Sequence, residues 1–142
     1  MSTVSLARAA FVFPGQGSQG VGMGKDLYEN SLAARQVYEE IDETLGRKLS
    51  SVMFDGPAAE LTRTENAQPA ITAVSLAAWK AMGEAAGEPQ VPGFLAGHSL
   101  GEYSALAVAG VLSIADTTRL VVERGRLMQL ACDERPGGMA AL

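Results

Sequence analysis

Residues 97–102 read Gly-His-Ser-Leu-Gly-Glu and carry the form Gly-x-Ser-x-Gly. That form marks a strand–turn–helix elbow that exposes a serine hydroxyl as a nucleophile. The chain leaves a strand and enters a helix within a few residues there. Side chains at 97 and 101 would crowd each other, and glycine avoids the clash. The helix starting behind Ser99 aims backbone N–H groups and a positive dipole end at the reacting oxygen. A serine nucleophile also needs a base for its proton. The chain has one histidine, His98, directly beside Ser99. Neighbouring side chains at a strand end point to opposite sides, so His98 is expected to turn back toward the sheet or its loops, in a structural role. In elbow hydrolases the histidine follows the serine along the chain. None does here. The elbow is either inert or part of an incomplete catalytic set.

Two other stretches carry candidate chemistry. Residues 15–20, Gly-Gln-Gly-Ser-Gln-Gly, fit G-x-G-x-x-G. A dinucleotide fingerprint would need a second strand with an acidic residue about 20 positions on. That region instead has helical periodicity around Val37 to Ile41. The better reading is a loop at a strand end, where Gln16 can supply a donor to an oxyanion. Arg124 lies in a helical stretch after the elbow helix. It has a chemical task only if the substrate carries a carboxylate, which a guanidinium fork binds bidentately. One cysteine and one histidine make no convincing metal set.

The elements that must hold these residues follow from apolar spacing. Residues 9–13 form an apolar run ended by Pro14 and read as a buried strand. A glycine-rich loop follows. Leu32, Val37, Tyr38, Ile41 and Leu45 predict a helix over 32–45 with Gly46 as its stop. Residues 49–61 read as turns and short helical pieces. A long helix follows, capped by Thr64 or Asn66, with Pro69 in its first turn and Ile71, Val74, Ala78, Trp79 and Met82 facing inward. Residues 93–99 are a short strand running into the elbow, and a small-residue helix ends at Gly110. A helix over 115–131, capped by Ser113, has Leu120, Val121, Leu127, Met128 and Leu130 among its apolar positions. Residues 139–142 open another apolar run. Strands separated by helices imply an α/β domain with a parallel sheet. So few strands are thin for a sheet covered on both faces, so the chain is expected to be part of a larger fold.

Composition sets the outer bounds. The chain has 142 residues, is 47% hydrophobic and carries a formal net charge of -5. It is long enough for one domain with a real core. The acidic balance argues against a nucleic-acid surface. One cysteine excludes an internal disulfide and fits a reducing cytoplasm. Arg8 interrupts the apolar run after Met1, which argues against a secretory leader. No apolar stretch approaches the roughly 20 residues of a membrane span.

Several of these pieces occur together and in order: Phe-Val-Phe-Pro-Gly-Gln-Gly-Ser-Gln, Gln-Pro-Ala-Ile at 68–71, the elbow and its helix, Arg-Gly then Met-Gln within 124–129, and Gly-Gly-Met-Ala-Ala-Leu. This combination resembles the acyltransferase family of fatty-acid and polyketide synthesis, in its malonyl-CoA:acyl carrier protein transacylase branch, from Ala10 onward. The resemblance implies that Ser99 takes malonate from coenzyme A as an oxyester and passes it to the phosphopantetheine thiol of acyl carrier protein. It implies an oxyanion hole from the backbone N–H groups of Gln16 and Leu100, a malonate-carboxylate contact by Arg124, and a place for Gln68 among the substrate-binding residues. No bound cofactor, metal, nucleic acid or membrane is expected, and the setting is cytoplasmic.

Family members are about twice as long, with a catalytic histidine in their second half. Their fold is a hydrolase-like large subdomain with an inserted ferredoxin-like small one. Residues 1–131 are therefore expected to form the N-terminal part of the large subdomain, and 132–142 the start of the small one. A chain of this extent is expected to be inactive alone and to self-associate or join its complementary half. A serine esterase with the same elbow, or a non-catalytic carrier-protein-binding module, are the competing readings.

Overall fold

The computed structural model describes residues 8–135 and residue 137. The leader reading at the extreme N-terminus and the apolar run at 139–142 lie outside the described residues. The elements run β1 (Ala10–Phe13), α1 (Lys25–Asn30), α2 (Leu32–Leu45), α3 (Leu49–Asp55), α4 (Ala58–Thr62), α5 (Thr64–Ala86), β2 (Phe94–Gly97), α6 (Gly101–Val108) and α7 (Ile114–Glu134). Strands β1 and β2 pair in parallel, Ala10 opposite Phe94 through Phe13 opposite Gly97. Parallel strands need a crossover, here made by the five helices between them. The α/β class with a partial parallel sheet is thus the observed one.

The packed core lies among the helices. Ala34, Val37, Tyr38 and Ile41 recur at helical spacing on α2 and are buried. They meet Leu49 and Met53 of α3, Leu61 of α4, and Ala70, Ala73, Leu76 and Ala77 of α5. Tyr28, Tyr38 and Phe54 pack ring against ring, with centroids 5.3 to 5.9 Å apart. Burial raises the Tyr38 phenol well above its ordinary range. Helix α2 ends at Gly46 in the left-handed region (φ 63), the predicted stop. At its start, the Ser31 hydroxyl accepts from Ala34 N–H and donates to Glu84 of α5 at 2.5 Å, tying two helix ends together. Buried Asp42 accepts from the Ser50 N–H and hydroxyl, satisfying an orphan donor of α3.

Several expectations change. Strand β1 forms where predicted but is buried only at Phe13, while Val12 stands 71% exposed. Leu32 is exposed at the first position of α2. Neither Thr64 nor Asn66 caps α5. The helix begins at Thr64 after Arg63, and the Asn66 amide donates to the Glu60 carbonyl instead. Pro69 is therefore the sixth helical residue, one turn further in than predicted, and leaves the Glu65 carbonyl without its helical partner. The core-facing stripe of α5 is rotated from the predicted one. Ile71 is buried, but Ala78 is exposed and Val74, Trp79 and Met82 are half-buried. These four line an open apolar cleft of about 350 Å³ against Phe11–Pro14. On α7, Val121 is buried while Leu120, Leu127 and Leu130 are exposed. Helix α7 is capped by Ser113 as predicted and runs to Glu134. Among the described residues no helix is long and apolar enough to cross a membrane.

Candidate active site

The elbow forms where the spacing placed it. Strand β2 ends at Gly97, and α6 begins at Gly101. Between them Ser99 has φ 55, the only non-glycine among the described residues with positive φ. That conformation is costly for a residue with a Cβ and marks a backbone held by its surroundings. The two flanking glycines are explained by contact. A Cβ on Gly97 would overlap the backbone of Gly101 and Glu102. A Cβ on Gly101 would overlap the Phe13 carbonyl and come within 2.8 Å of the Pro14 carbonyl. Helix α6 thus starts directly against the end of β1. This leaves Ser99 exposed at the carboxyl end of the sheet, where open α/β sheets bind ligands.

His98 lies across the glycine-rich loop. A Cβ on Gly15 would sit 2.5 Å from its Nδ1 and 2.9 Å from its carbonyl oxygen. The His98 N–H donates to the Phe13 carbonyl at 3.0 Å, extending the β1–β2 ladder. Its ring makes no hydrogen bond to Ser99 among the described residues. The expected partition, serine outward and histidine toward the loop, is the observed geometry.

The Ser99 hydroxyl has a different partner. Arg124 Nη2 donates to Ser99 Oγ at 2.8 Å, and Arg124 Nη1 donates to Gln68 Oε1 at 2.7 Å. Arginine is only a donor, so the Gln68 carbonyl must face it and its NH₂ must face away. That NH₂ reaches Gln16 Oε1 at 3.4 Å and Met128 Sδ at 3.3 Å. Gln16 Nε2 in turn reaches Thr64 Oγ1 at 3.4 Å. The four polar side chains singled out from the sequence are thus joined, from the nucleophile through the arginine and the buried glutamine to the loop after β1. Gln68 is fully buried, so it acts on this site from behind Arg124 and Gln16.

Arg124 is half-buried, and among the described residues no carboxylate lies within 4.0 Å of it. A partly desolvated, unpaired guanidinium attracts an anion. The backbone N–H groups of Gln16 and Leu100 donate to no protein acceptor among the described residues, while Leu100's side chain is fully buried and pins the turn. Among the same residues no three of His, Cys, Asp and Glu gather as a metal site. Sequence reading missed Met128 and Thr64 as partners. The i, i+4 spacing of Arg124 and Met128, which puts both on one face of a helix, was the available signal.

The family profile described as acyl transferase domain matches residues 10–142. The malonyl CoA-acyl carrier protein transacylase of Bacillus subtilis is 50% identical over 137 residues, which are 96% of this chain and 42% of that protein. A crystal structure of acyl-carrier-protein-S-malonyltransferase from Bartonella henselae superposes with TM-score 0.81 at 53% identity, over 87% of this chain and 40% of that one. A type II polyketide-synthase acyl-carrier protein in complex with its malonyl-transacylase provides a third match, with TM-score 0.79 at 45% identity, over 86% of this chain and 39% of that one. The chain spans well under half the length of the relatives it matches.

Proposed function

Because the chain belongs to the acyl transferase domain family, we propose that it is the nucleophile-bearing part of an enzyme that moves a malonyl group from coenzyme A to acyl carrier protein. The observation that carries this reading is the Arg124 guanidinium, unpaired by any acid among the described residues and 2.8 Å from the Ser99 hydroxyl. A neutral acyl group gives that cation no task. An acyl group ending in a carboxylate gives it a bidentate partner beside the nucleophile.

The steps follow. The malonyl carboxylate binds Arg124, and the thioester carbonyl settles over Ser99. Ser99 Oγ attacks the carbonyl carbon while its proton passes to a base. The N–H groups of Gln16 and Leu100 receive the negative charge on the carbonyl oxygen; one such donor is worth about 3 kcal/mol in the transition state. The C–S bond breaks, coenzyme A leaves as the thiol, and malonate remains as a serine ester. The phosphopantetheine thiol then attacks that ester, and Ser99 regains a proton. The base is a histidine supplied by polypeptide outside these residues. Two facts support this: His98 is the only histidine of the chain, and its ring lies on Gly15 rather than on Ser99. Residues 1–131 would then belong to the large subdomain and 132–142 open the small one. The 142-residue chain alone would be inactive, and the work belongs in the cytoplasm.

The test uses the full natural gene product with radiolabelled malonyl-CoA. Label is expected on Ser99, with transfer to holo acyl carrier protein, and none in Ser99→Ala. Release of free malonate without an acyl-serine, or turnover by the isolated 142 residues, would replace this reading with another.

A further inference from the structure

Helix α7 contains a glycine, Gly125, immediately after Arg124. Glycine is the residue type a helix interior tolerates worst after proline. Its φ is not positive, so no backbone requirement explains it. The reason is steric. A Cβ there would stand 3.0 Å from the Thr64 carbonyl oxygen, 3.4 Å from Glu65 Cα and 3.5 Å from the Thr64 carbonyl carbon. All three are backbone atoms at the start of α5 and cannot rotate aside. At Gly125 the backbone of α7 comes close to the start of α5.

That contact sits among the polar bonds of the site. Arg124 and Met128 flank Gly125 on α7, and both bond to Gln68, one turn beyond Thr64 on α5. We infer that Gly125 is a positioning residue, setting the helix separation at which Arg124 spans Gln68 and Ser99 together. This inference rests on the proposed malonyl transfer. One added methyl moves α7 outward by a few tenths of an ångström. The Arg124 side chain is already bonded at both ends, at 2.7 and 2.8 Å, so the displacement loosens one of them.

Gly83, inside α5, is the natural control. A Cβ there would find only the Glu88 carbonyl, at an ordinary 3.7 Å. Gly83→Ala should raise Tm by about 2–4 °C and leave transfer unchanged. Gly125→Ala, in the full gene product, should lower kcat/KM for malonyl-CoA about tenfold, since a misplacement of 1 Å costs on the order of a hundredfold. It should leave acetyl-CoA within about twofold. The ratio of the two donors does not depend on how much protein is folded, so it reads position rather than stability. The Arg124→Ala/Gly125→Ala pair should be no slower with malonyl-CoA than Arg124→Ala alone. Equal losses for both donors, an unchanged ratio, or additive losses in the pair would overturn the inference. Absence of malonyl transfer by the unsubstituted protein would instead overturn the function proposed above.

Discussion

The helical layer and the strand layer of this molecule are built to different standards. Around Tyr38, Met53 and Ala73, side chains close on one another, and eleven buried residues form one cluster. Around β1 and β2, Val12 is 71% exposed and Phe94 is 69% exposed. The candidate nucleophile sits on the second layer, and Arg124 reaches it from α7. Ser99 leaves the end of β2, and the loop with Gln16 leaves the end of β1. The helical layer supplies what must not move, namely Gln68 on α5, and the sheet supplies what must be reached. Stability and reactivity are thus assigned to different parts of one chain, and substitutions should separate them.

The largest separation is expected at Arg124. Arg124→Ala removes the cation proposed to face a substrate carboxylate. Losing one partner of a hydrogen-bonded charge pair costs about 4 kcal/mol, roughly a thousandfold. Malonyl transfer should fall by that order and acetyl transfer far less, while the melting temperature drops by a few degrees because the buried Gln68 carbonyl loses its donor. Equal losses for the two donors would remove the carboxylate role. Next comes the helical layer. Met53 is fully buried, so Met53→Ala should destabilise by about 3 kcal/mol, measured by urea unfolding. The smallest effect is expected on the exposed strand face, where Val12→Ala should cost less than about 0.5 kcal/mol in the isolated chain. A Val12 cost matching that of Met53 would mean the sheet is covered in solution, by a second copy or another chain. The comparison would then need redrawing.

How much of this was legible beforehand depended on how local the cause was. The elbow, the Gly46 stop and the Ser113 cap were readable because each is decided within a few residues. So was the sorting of Ser99 from His98, which follows from alternation along a strand. The burial of β1 was misread because an apolar run reports what a strand is suited to meet, not what is present to meet it. The stripe on α5 was misplaced for a related reason: Trp79 and Met82 line a cleft against β1, while Ala70, Ala73 and Ala77 admit the close approach of neighbouring helices. Small residues carry little signal in a hydrophobic pattern. Within the site, residue types named Ser99 and Gln16 and gave Arg124 a task only for a carboxylate substrate, while Gln68 came from the family resemblance alone. Their mutual bonding could not be read, because it depends on how closely α5 and α7 approach. That distance is fixed by Gly125, a residue with no side chain to notice.

The parallel pairing of β1 with β2 has one more consequence. Five helices lie between the two strands in sequence, so their ends meet only after a long loop has been closed. Such distant pairing is slow to form and gains most when the intervening segment has already condensed. The left-handed backbone at Ser99 depends on that pairing, since Gly101 rests on the carbonyl of Phe13. The turn that exposes the Ser99 hydroxyl is therefore assembled late, as a readout of completed folding. A nascent or half-melted chain has the serine but not the turn that exposes it.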